Sequence, residues 1–134
     1  MNIRFAVEKD ISLIREYDKH ISKDELESII NQKRVIVLEE NKEFAGWLRY
    51  NLFWDNTPFM NMLFVLDKYR GKGFGKELVL QWEKNMKKMN YDLVMTSTMA
   101  NENAQNFYRK LKYVDAGSLL LPEEPLEIIF IKNI

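Results

Sequence analysis

The sequence predicts a mixed α/β (α+β) domain, in which a mostly antiparallel central sheet of about seven strands is combined with four helices. Several short runs alternate apolar and polar residues, the period of half-buried strands, whereas residues 74–89 and 102–112 repeat their apolar side chains at helical spacing. A glycine-rich segment joins an apolar run at 60–66 to the longer helical pattern, which is typical of a strand–helix–strand crossover. The expected order is β-α-α-β-β-β-α-β-α-β-β, in a single domain over residues 1–134.

The N-terminal part predicts a strand, two short helices and a second strand. In residues 3–7 the large apolar side chains occupy every second position, which predicts a half-buried strand. Residues 8–17 then show the spacing of a helix. Ser22 and Glu25 have the spacing of a capping box, so the second helix begins there. The apolar run at 35–38 is the next strand. The first helix is expected to present one apolar side, formed by Ile11, Leu13, Ile14 and Tyr17.

The middle of the chain predicts two strands and the glycine-rich segment. A turn at 40–43 precedes a long strand at 44–54, and the polar, proline-containing residues 55–58 predict another turn. The strand at 60–66 follows. One face of the long strand is expected to carry Phe44, Gly46, Leu48, Tyr50, Leu52 and Trp54.

The C-terminal part predicts two helices and three strands. The first helix begins near Phe74 and ends before Asn90, and a strand at 91–98 follows. After the helix at 102–112 come a strand that starts at 113–117 and a last strand at 126–131. The side chains that recur every four residues along the first helix are Phe74, Leu78, Trp82 and Met86.

Composition limits the possible functions. Lys+Arg and Asp+Glu both number 20, so the net charge favours neither nucleic acid nor an acidic membrane surface as a partner. The absence of cysteine excludes disulfides, thiolate metal sites and a cysteine acyl-enzyme. The N-terminus lacks the apolar core of a signal peptide, and no stretch has the length of a membrane span. We expect a cytoplasmic protein without a metal, either a monomer or a homodimer.

The segment from Tyr69 to Lys76 is predicted to bind a phosphate or a pyrophosphate. It lies between a strand and a helix, where backbone N–H groups lack intrahelical partners and the helix dipole is positive. Its glycines allow an anion to approach the main chain, and Arg70, Lys72 and Lys76 add positive charge. Lys76 stands where a P-loop counted from Gly71 needs its second glycine and where a dinucleotide-binding loop needs its third, so both are excluded.

Two motifs resemble one known family. The pattern Arg70-x-x-Gly73-x-Gly75 after a strand resembles the acyl-CoA pyrophosphate loop of the GNAT superfamily, the Gcn5-related N-acetyltransferases. Residues 101–108, Asn-Glu-Asn-Ala-Gln-Asn-Phe-Tyr, resemble its other signature at the start of the helix after the fifth strand. The predicted element order is similar to that of the family over essentially the whole chain.

The resemblance implies an acetyl-CoA-dependent N-acetyltransferase, in which a primary amine of a small molecule, peptide or protein attacks the thioester directly in a ternary complex. Leu63 would offer its N–H to the thioester carbonyl, and Val65 and Asn101 would hold the pantetheine arm. Tyr108 would act as the general acid for the leaving thiolate. The residues implied for the pyrophosphate are Arg70, Gly71, Lys72, Gly73, Phe74 and Gly75.

The general base is not identified by the resemblance. Some relatives place a glutamate on the fourth strand, at a position that falls near Phe59 here, and Phe59 cannot accept a proton. Asp55, Glu39 and Glu43 are the carboxylates available, directly or through water. This gap favours an alternative function, a catalytically weak or inactive module that binds acyl-CoA.

Several of these residues also suit purely structural roles. The helical spacing of Tyr108 is compatible with a core tyrosine, and Lys112 replaces the glycine with which the family usually ends this helix. A lysine is tolerated there if the backbone avoids the left-handed region. The aromatic residues could belong to the core, to the floor of an acceptor pocket or to a dimer interface, and they are Trp47, Tyr50, Phe53, Trp54 and Phe59.

Overall fold

We describe the protein from a computed structural model that covers residues 1–134. The strands are β1 (Asn2–Phe5), β2 (Val35–Glu40), β3 (Glu43–Phe53), β4 (Thr57–Val65), β5 (Leu93–Met99), β6 (Val114–Leu119) and β7 (Glu127–Asn133). The helices are α1 (Ile11–Tyr17), α2 (Lys23–Asn31), α3 (Phe74–Lys88) and α4 (Ala104–Lys110). Short 3-10 turns precede α1 and follow β4, at Glu8–Asp10 and Asp67–Tyr69.

One seven-stranded sheet has the order β1-β2-β3-β4-β5-β7-β6. β1 with β2, β2 with β3, β5 with β7 and β6 with β7 are antiparallel pairs. β4 and β5 are parallel, with Phe59 opposite Met95 and Met60 opposite Thr96, and α3 forms the crossover between them. The predicted fold class, element order and crossover are therefore confirmed.

The chain divides into two compact units, residues 1–51 with 62–82 and residues 52–61 with 83–134. We describe each unit by itself, and the expectation of a single domain stays a prediction. The buried core of the first unit is formed by α1, α2 and the inner faces of strands, through Ala6, Ile11, Ile14, Leu26, Ile29, Ile30, Val35, Val37 and Trp47. In the second unit the most deeply buried side chains include Val94, Tyr113 and Phe130.

The two N-terminal helices follow the sequence pattern unequally. The Ser22 hydroxyl accepts the backbone N–H of Glu25 at 3.2 Å, so the predicted cap of α2 is confirmed. In α1 only Ile11 and Ile14 are buried, whereas Leu13 is exposed. Tyr17 is exposed as well, although one side of its ring contacts aromatic neighbours. The predicted apolar side was too wide because a helix of two turns buries a single stripe.

A buried ion pair ties the end of α1 to β3. The Arg49 guanidinium donates to both carboxylate oxygens of Asp18, at 2.7 and 3.3 Å, and both side chains are almost fully buried. The same carboxylate accepts the backbone N–H of His20 at 3.0 Å. Each oxygen of Asp18 is thus hydrogen-bonded, which is the condition under which a buried charge is tolerated.

The hairpin of β3 and β4 is tighter than the sequence indicates. Trp54 and Asp55 both have positive φ, 55° and 63°, and form the two central residues of the turn. β4 therefore starts at Thr57 and includes Pro58, so the predicted turn at 55–58 was wrong by two residues. Trp54 does not share a buried face with the rest of β3, because it lies in this turn with 79% of its surface exposed.

The long helix α3 matches its pattern closely. Its four predicted core residues, Phe74, Leu78, Trp82 and Met86, are all buried. Asn90 ends the helix with φ 69°, and the next backbone N–H, from Tyr91, returns to the Met86 carbonyl at 3.1 Å. This is a Schellman ending, in which asparagine tolerates the left-handed conformation.

The same ending occurs after α4, but with a lysine in the strained position. Tyr113 N–H donates to the Tyr108 carbonyl at 3.1 Å, and Lys112 N–H donates to the Arg109 carbonyl at 3.0 Å. Lys112 has φ 76°, so its backbone lies in the left-handed region, and the condition under which a lysine would be tolerated without strain is not met. Two hydrogen bonds of the motif hold the lysine in a conformation that favours glycine.

We expect Lys112→Gly to raise the free energy of unfolding by about 1 kcal/mol, because a β-carbon is unfavourable at this φ. Chemical denaturation of both proteins measures the change. Lys112→Ala is the matched control, since it removes the lysine side chain and keeps the β-carbon. An equal gain from the alanine variant would contradict the explanation by backbone strain.

Candidate functional site

The glycine-rich segment forms an open turn at the start of α3. After the 3-10 turn at Asp67–Tyr69, Gly71 and Gly73 have φ of 75° and 84°, in the region that favours glycine. A β-carbon built on either glycine would meet no atom within 4 Å. The requirement for glycine therefore comes from the backbone conformation, and the space above the turn is open to a ligand.

The first turn of α3 presents free backbone donors beside this turn. The first helical hydrogen bond runs from Glu77 N–H to the Gly73 carbonyl at 3.1 Å. The N–H groups of residues 74–76 consequently have no acceptor within the helix. Together with the positive end of the helix dipole, they form a local environment that suits an anionic diphosphate.

Arg70 braces the turn. Its Nε donates to the Val65 carbonyl at 2.8 Å, and its Nη1 lies 3.1 Å from a carboxylate oxygen of Asp67. The guanidinium also lies over the Phe64 ring, 5.1 Å from the centroid. Arg70 thus supplies positive charge near the turn while it ties the turn back to the end of β4.

A second tether joins the turn to β3. The Tyr69 hydroxyl, on an almost fully buried side chain, donates to Glu43 Oε2 at 2.6 Å, and Lys68 Nζ lies 2.9 Å from the same oxygen. The hydrogen bond from Tyr69, followed by the hydrogen bond and the charge of Lys68, lowers the pKa of Glu43. The bond to Glu43 raises the pKa of Tyr69, so the proton stays on the tyrosine.

If the turn binds the acetyl-CoA that the sequence resemblance implies, Tyr69→Phe should raise the KM for acetyl-CoA about fivefold with kcat unchanged, the effect of losing one hydrogen bond that orders the turn. Steady-state kinetics at saturating amine separates the two constants. Lys68→Ala is the control, because this exposed lysine contacts the same carboxylate and an exposed ion pair contributes little. Equal KM values for the two variants would refute a specific role of Tyr69.

β4, which carries Leu63 and Val65, lies unusually close to β3. Both of these side chains are half-buried. A β-carbon on Gly46 would lie 2.5 Å from the Phe64 carbonyl oxygen and 3.2 Å from the Val65 Cα. Gly46 is therefore a positioning residue that the sequence analysis assigned only to a strand face. A lone glycine inside a strand pattern was the available signal.

In the second unit, Tyr108 is buried on α4. Its ring contacts those of Phe107, Tyr113 and Phe130, with centroids 5.1, 5.6 and 6.2 Å away. Burial raises the pKa of the hydroxyl to about 12, a hydrogen bond with Thr96 lowers it in part, and the charge of Glu102 raises it. Tyr108 therefore holds its proton at neutral pH, as a general acid must.

Asn101 is exposed in the turn that leads from β5 into α4. This turn is braced by the side-chain amide of Gln105, which donates to the carbonyls of Ala100 and Glu102 at 2.7 and 3.0 Å. Because of the turn, α4 begins at Ala104, two residues later than predicted. The roles implied for Asn101 and Tyr108 stay predictions, as do those of Leu63, Val65 and residues 70–75.

The candidate bases differ in their surroundings. Glu39 binds Arg4 Nε at 3.0 Å, and this hydrogen bond lowers its pKa. Glu43 is held by Tyr69 as described above. A carboxylate whose pKa is lowered is a weaker base, which disfavours both. Asp55 lies exposed in the β3–β4 turn, and Phe59 packs against Phe53 with ring centroids 6.0 Å apart.

The structure contains no cluster of three histidine, cysteine or acidic side chains able to hold a metal ion. None of its helices has both the length and the apolar character of a membrane span. Among the aromatic residues, Trp47 and Tyr50 belong to the core, whereas Phe53 and Trp54 are exposed.

Comparison with sequence models of protein families shows the family to which the chain belongs. The sequence model of the family described as acetyltransferase (GNAT) matches residues 5–113. The chain belongs to the GNAT acetyltransferase family. The match covers the glycine-rich turn and the second motif, so the resemblance drawn from those residues is confirmed, and the chain is an acetyltransferase by family. No sequence with a curated description matches at a significant level.

Solved structures share the GNAT fold. Ard1 from Thermoplasma volcanium has a TM-score of 0.85 at 14% identity, over 99% of this chain and 97% of that one. PaiA N-acetyltransferase from Thermoplasma acidophilum, solved with coenzyme A, has a TM-score of 0.83 at 17% identity. The match covers 99% of this chain and 98% of that one. A candidate streptothricin acetyltransferase from Bacillus anthracis str. Ames, solved with acetyl coenzyme A, has a TM-score of 0.69 at 23% identity. The match to this last structure covers 75% of the chain and 61% of the Bacillus protein.

Proposed function

We propose that the protein transfers an acetyl group from acetyl-CoA to a primary amine of a small molecule, peptide or protein. The observation that carries this proposal is the turn at Gly71 and Gly73, whose open space adjoins the free N–H groups at the start of α3. These features suit the pyrophosphate of coenzyme A. Family membership supports the same donor.

The proposed reaction is a direct attack. The amine nitrogen adds to the thioester carbonyl carbon, and the Leu63 N–H stabilises the oxyanion that forms. The C–S bond then breaks, and the thiolate takes the proton of Tyr108. The acylated nitrogen loses its proton to solvent, and Tyr108 regains one from water. Val65 and Asn101 are proposed to hold the pantetheine arm, and residues 70–75 the pyrophosphate.

No carboxylate is proposed as the base. A hydrogen bond from Arg4 lowers the pKa of Glu39 and one from Tyr69 lowers the pKa of Glu43, and solvent can accept the proton from the ammonium that forms on attack. The proposal therefore requires that the acceptor arrive as the free amine, a minor form at neutral pH. We further propose that the protein acts in the cytoplasm.

A thiol-release assay with acetyl-CoA and a panel of small amines, polyamines and peptides tests the function. Acetyl-CoA consumption that depends on an amine, with the acetylated product identified by mass spectrometry, is the expected result. Calorimetric binding of coenzyme A without turnover on any amine would instead support the alternative, a module that binds acyl-CoA without transferring the acyl group. Longer acyl donors in the same assay define the chain-length preference.

A further inference from the structure

Two threonines lie on the buried face of β5. Thr96 and Thr98 alternate with half-buried residues, and only 2% and 7% of their surfaces are exposed. A hydroxyl in such a position is unfavourable unless it is hydrogen-bonded. The two side chains point to the same side of the strand, about 7 Å apart along it.

Thr96 has its hydrogen bonds within the protein. Its hydroxyl donates to the Met60 carbonyl at 3.0 Å, and it lies close enough to the Tyr108 hydroxyl to lower the pKa of that group. It therefore joins the end of the proposed acid to the neighbouring strand β4. Thr96 is a positioning residue, and it marks this face of β5 as the one that Tyr108 meets.

Thr98 differs, because its buried hydroxyl oxygen has no hydrogen-bond partner in the protein. The indole N–H groups of Trp47 and Trp82 are the other buried side-chain polar atoms without a partner. These two indoles lie against aromatic rings, 4.8 Å from Phe64 and 5.9 Å from Tyr50 between centroids. Aromatic surroundings suit an indole, which is mostly apolar. Thr98 lies on the same face of β5 as Thr96, whose hydroxyl is close to that of Tyr108.

We propose that the Thr98 hydroxyl donates a hydrogen bond to a carbonyl oxygen of the bound acyl-CoA. This inference rests on the proposed function and adds a binding residue to it. The thioester and the two pantetheine amides all present carbonyl acceptors, and Thr98 lies on the strand face where Tyr108 is held. Because this oxygen is buried in the free protein, the proposal requires that the ligand displace the atoms that cover it, and binding would then satisfy a hydroxyl that the folded chain leaves unpaired.

Thr98→Val tests this proposal because it replaces the hydroxyl with a methyl group of similar shape. We expect the Kd for acetyl-CoA, measured by calorimetry, to rise about tenfold, the loss of one good hydrogen bond. The thermal midpoint of the free protein should stay equal or rise, since no internal hydrogen bond is lost. Thr98→Ser should bind within about twofold of the original protein, because it restores the donor.

Thr96→Val is the matched control on the same strand face. It removes a hydroxyl that is bonded inside the protein, so we expect the thermal midpoint to fall by about 3–6 °C. Coenzyme A and acetyl-CoA serve as separate ligands for Thr98→Val. If the variant loses the same affinity for coenzyme A and for acetyl-CoA, the hydrogen bond goes to a pantetheine amide. If only the affinity for acetyl-CoA falls, the hydrogen bond goes to the acyl carbonyl.

Three results would overturn the proposal. Acetyl-CoA binding by Thr98→Val that equals the original would remove Thr98 from the site. A thermal midpoint lowered as in Thr96→Val would make its role structural, and a change confined to the KM of the amine would assign it to the acceptor. If the original protein binds no acetyl-CoA, the proposed function itself fails, and this inference fails with it.

Discussion

Tyr108→Phe is expected to lower kcat about 100-fold and to leave the KM for acetyl-CoA within twofold, the lower end of the range for general acid catalysis. The reason is that, in the proposed reaction, the tyrosine proton is needed only as the C–S bond breaks. Phenylalanine keeps the ring contacts with Phe107, Tyr113 and Phe130. Steady-state kinetics with the best amine of the panel measures both constants.

Tyr113→Phe is the matched control for this prediction. Tyr113 is also a buried tyrosine of the second unit, but its hydroxyl donates to Glu83 at 2.8 Å, a carboxylate that also binds Lys132 at 2.8 Å. We expect this variant to lose about 1 kcal/mol of stability and to keep its kcat. A kcat for Tyr108→Phe within twofold of the original would make Tyr108 a core residue only, which is the structural alternative.

The pKa of Tyr108 fixes the expected pH dependence. Because burial raises this pKa to about 12, the tyrosine keeps its proton over the accessible range, and its deprotonation causes no fall in kcat below about pH 10. The rate should instead rise with pH as the acceptor amine loses its proton. A descending limb near pH 8 that vanishes in Tyr108→Phe would contradict the assigned protonation state.

Gly46→Ala is expected to lower the free energy of unfolding by about 3 kcal/mol and to abolish measurable acetyl-CoA binding. The added β-carbon would lie 2.5 Å from the Phe64 carbonyl oxygen, and main-chain atoms cannot rotate away as a side chain can. β3 or β4 must therefore shift, and the shift displaces the strand that carries Leu63 and Val65. Chemical denaturation and calorimetry measure the two effects.

Gly73→Ala provides the comparison, because it introduces the same methyl group into open space. It has φ 84° and no neighbouring atom within 4 Å of the added carbon, so we expect a loss of about 1 kcal/mol from backbone strain alone. Acetyl-CoA binding should weaken while the fold persists. If Gly46→Ala proved no more harmful than Gly73→Ala, the close approach of β3 and β4 would not be structurally important.

Patterns that depend on neighbouring residues predicted most of the fold. The four-residue repeat of α3 correctly named Phe74, Leu78, Trp82 and Met86 as buried, and Ser22 correctly marked the start of α2. Errors arose where two segments meet. The turn at Trp54 and Asp55 places an exposed tryptophan at positive φ, against its ordinary preference, because strand pairing fixes the turn geometry.

The candidate site shows the same division. Gly71 and Gly73 were predictable, since their use depends on the local conformation between a strand and a helix. The supporting partners were not, because Tyr69 with Glu43 and Thr96 with Met60 are 26 and 36 residues apart in sequence. Such pairs come into hydrogen-bond distance only after the strands have aligned.

The sequence by itself determined the family, the order of helices and strands, and the position of the glycine-rich turn, because each follows from residue types at short spacing. Only the tertiary structure decided that Gly46 lies against the backbone of β4 and that Lys112 is held in a left-handed conformation. It also decided that Thr98 is buried without a partner while Thr96 is bonded. The physical reason is that close approach, strain and hydrogen-bond satisfaction are properties of atoms brought together by folding, which no local pattern of residues encodes.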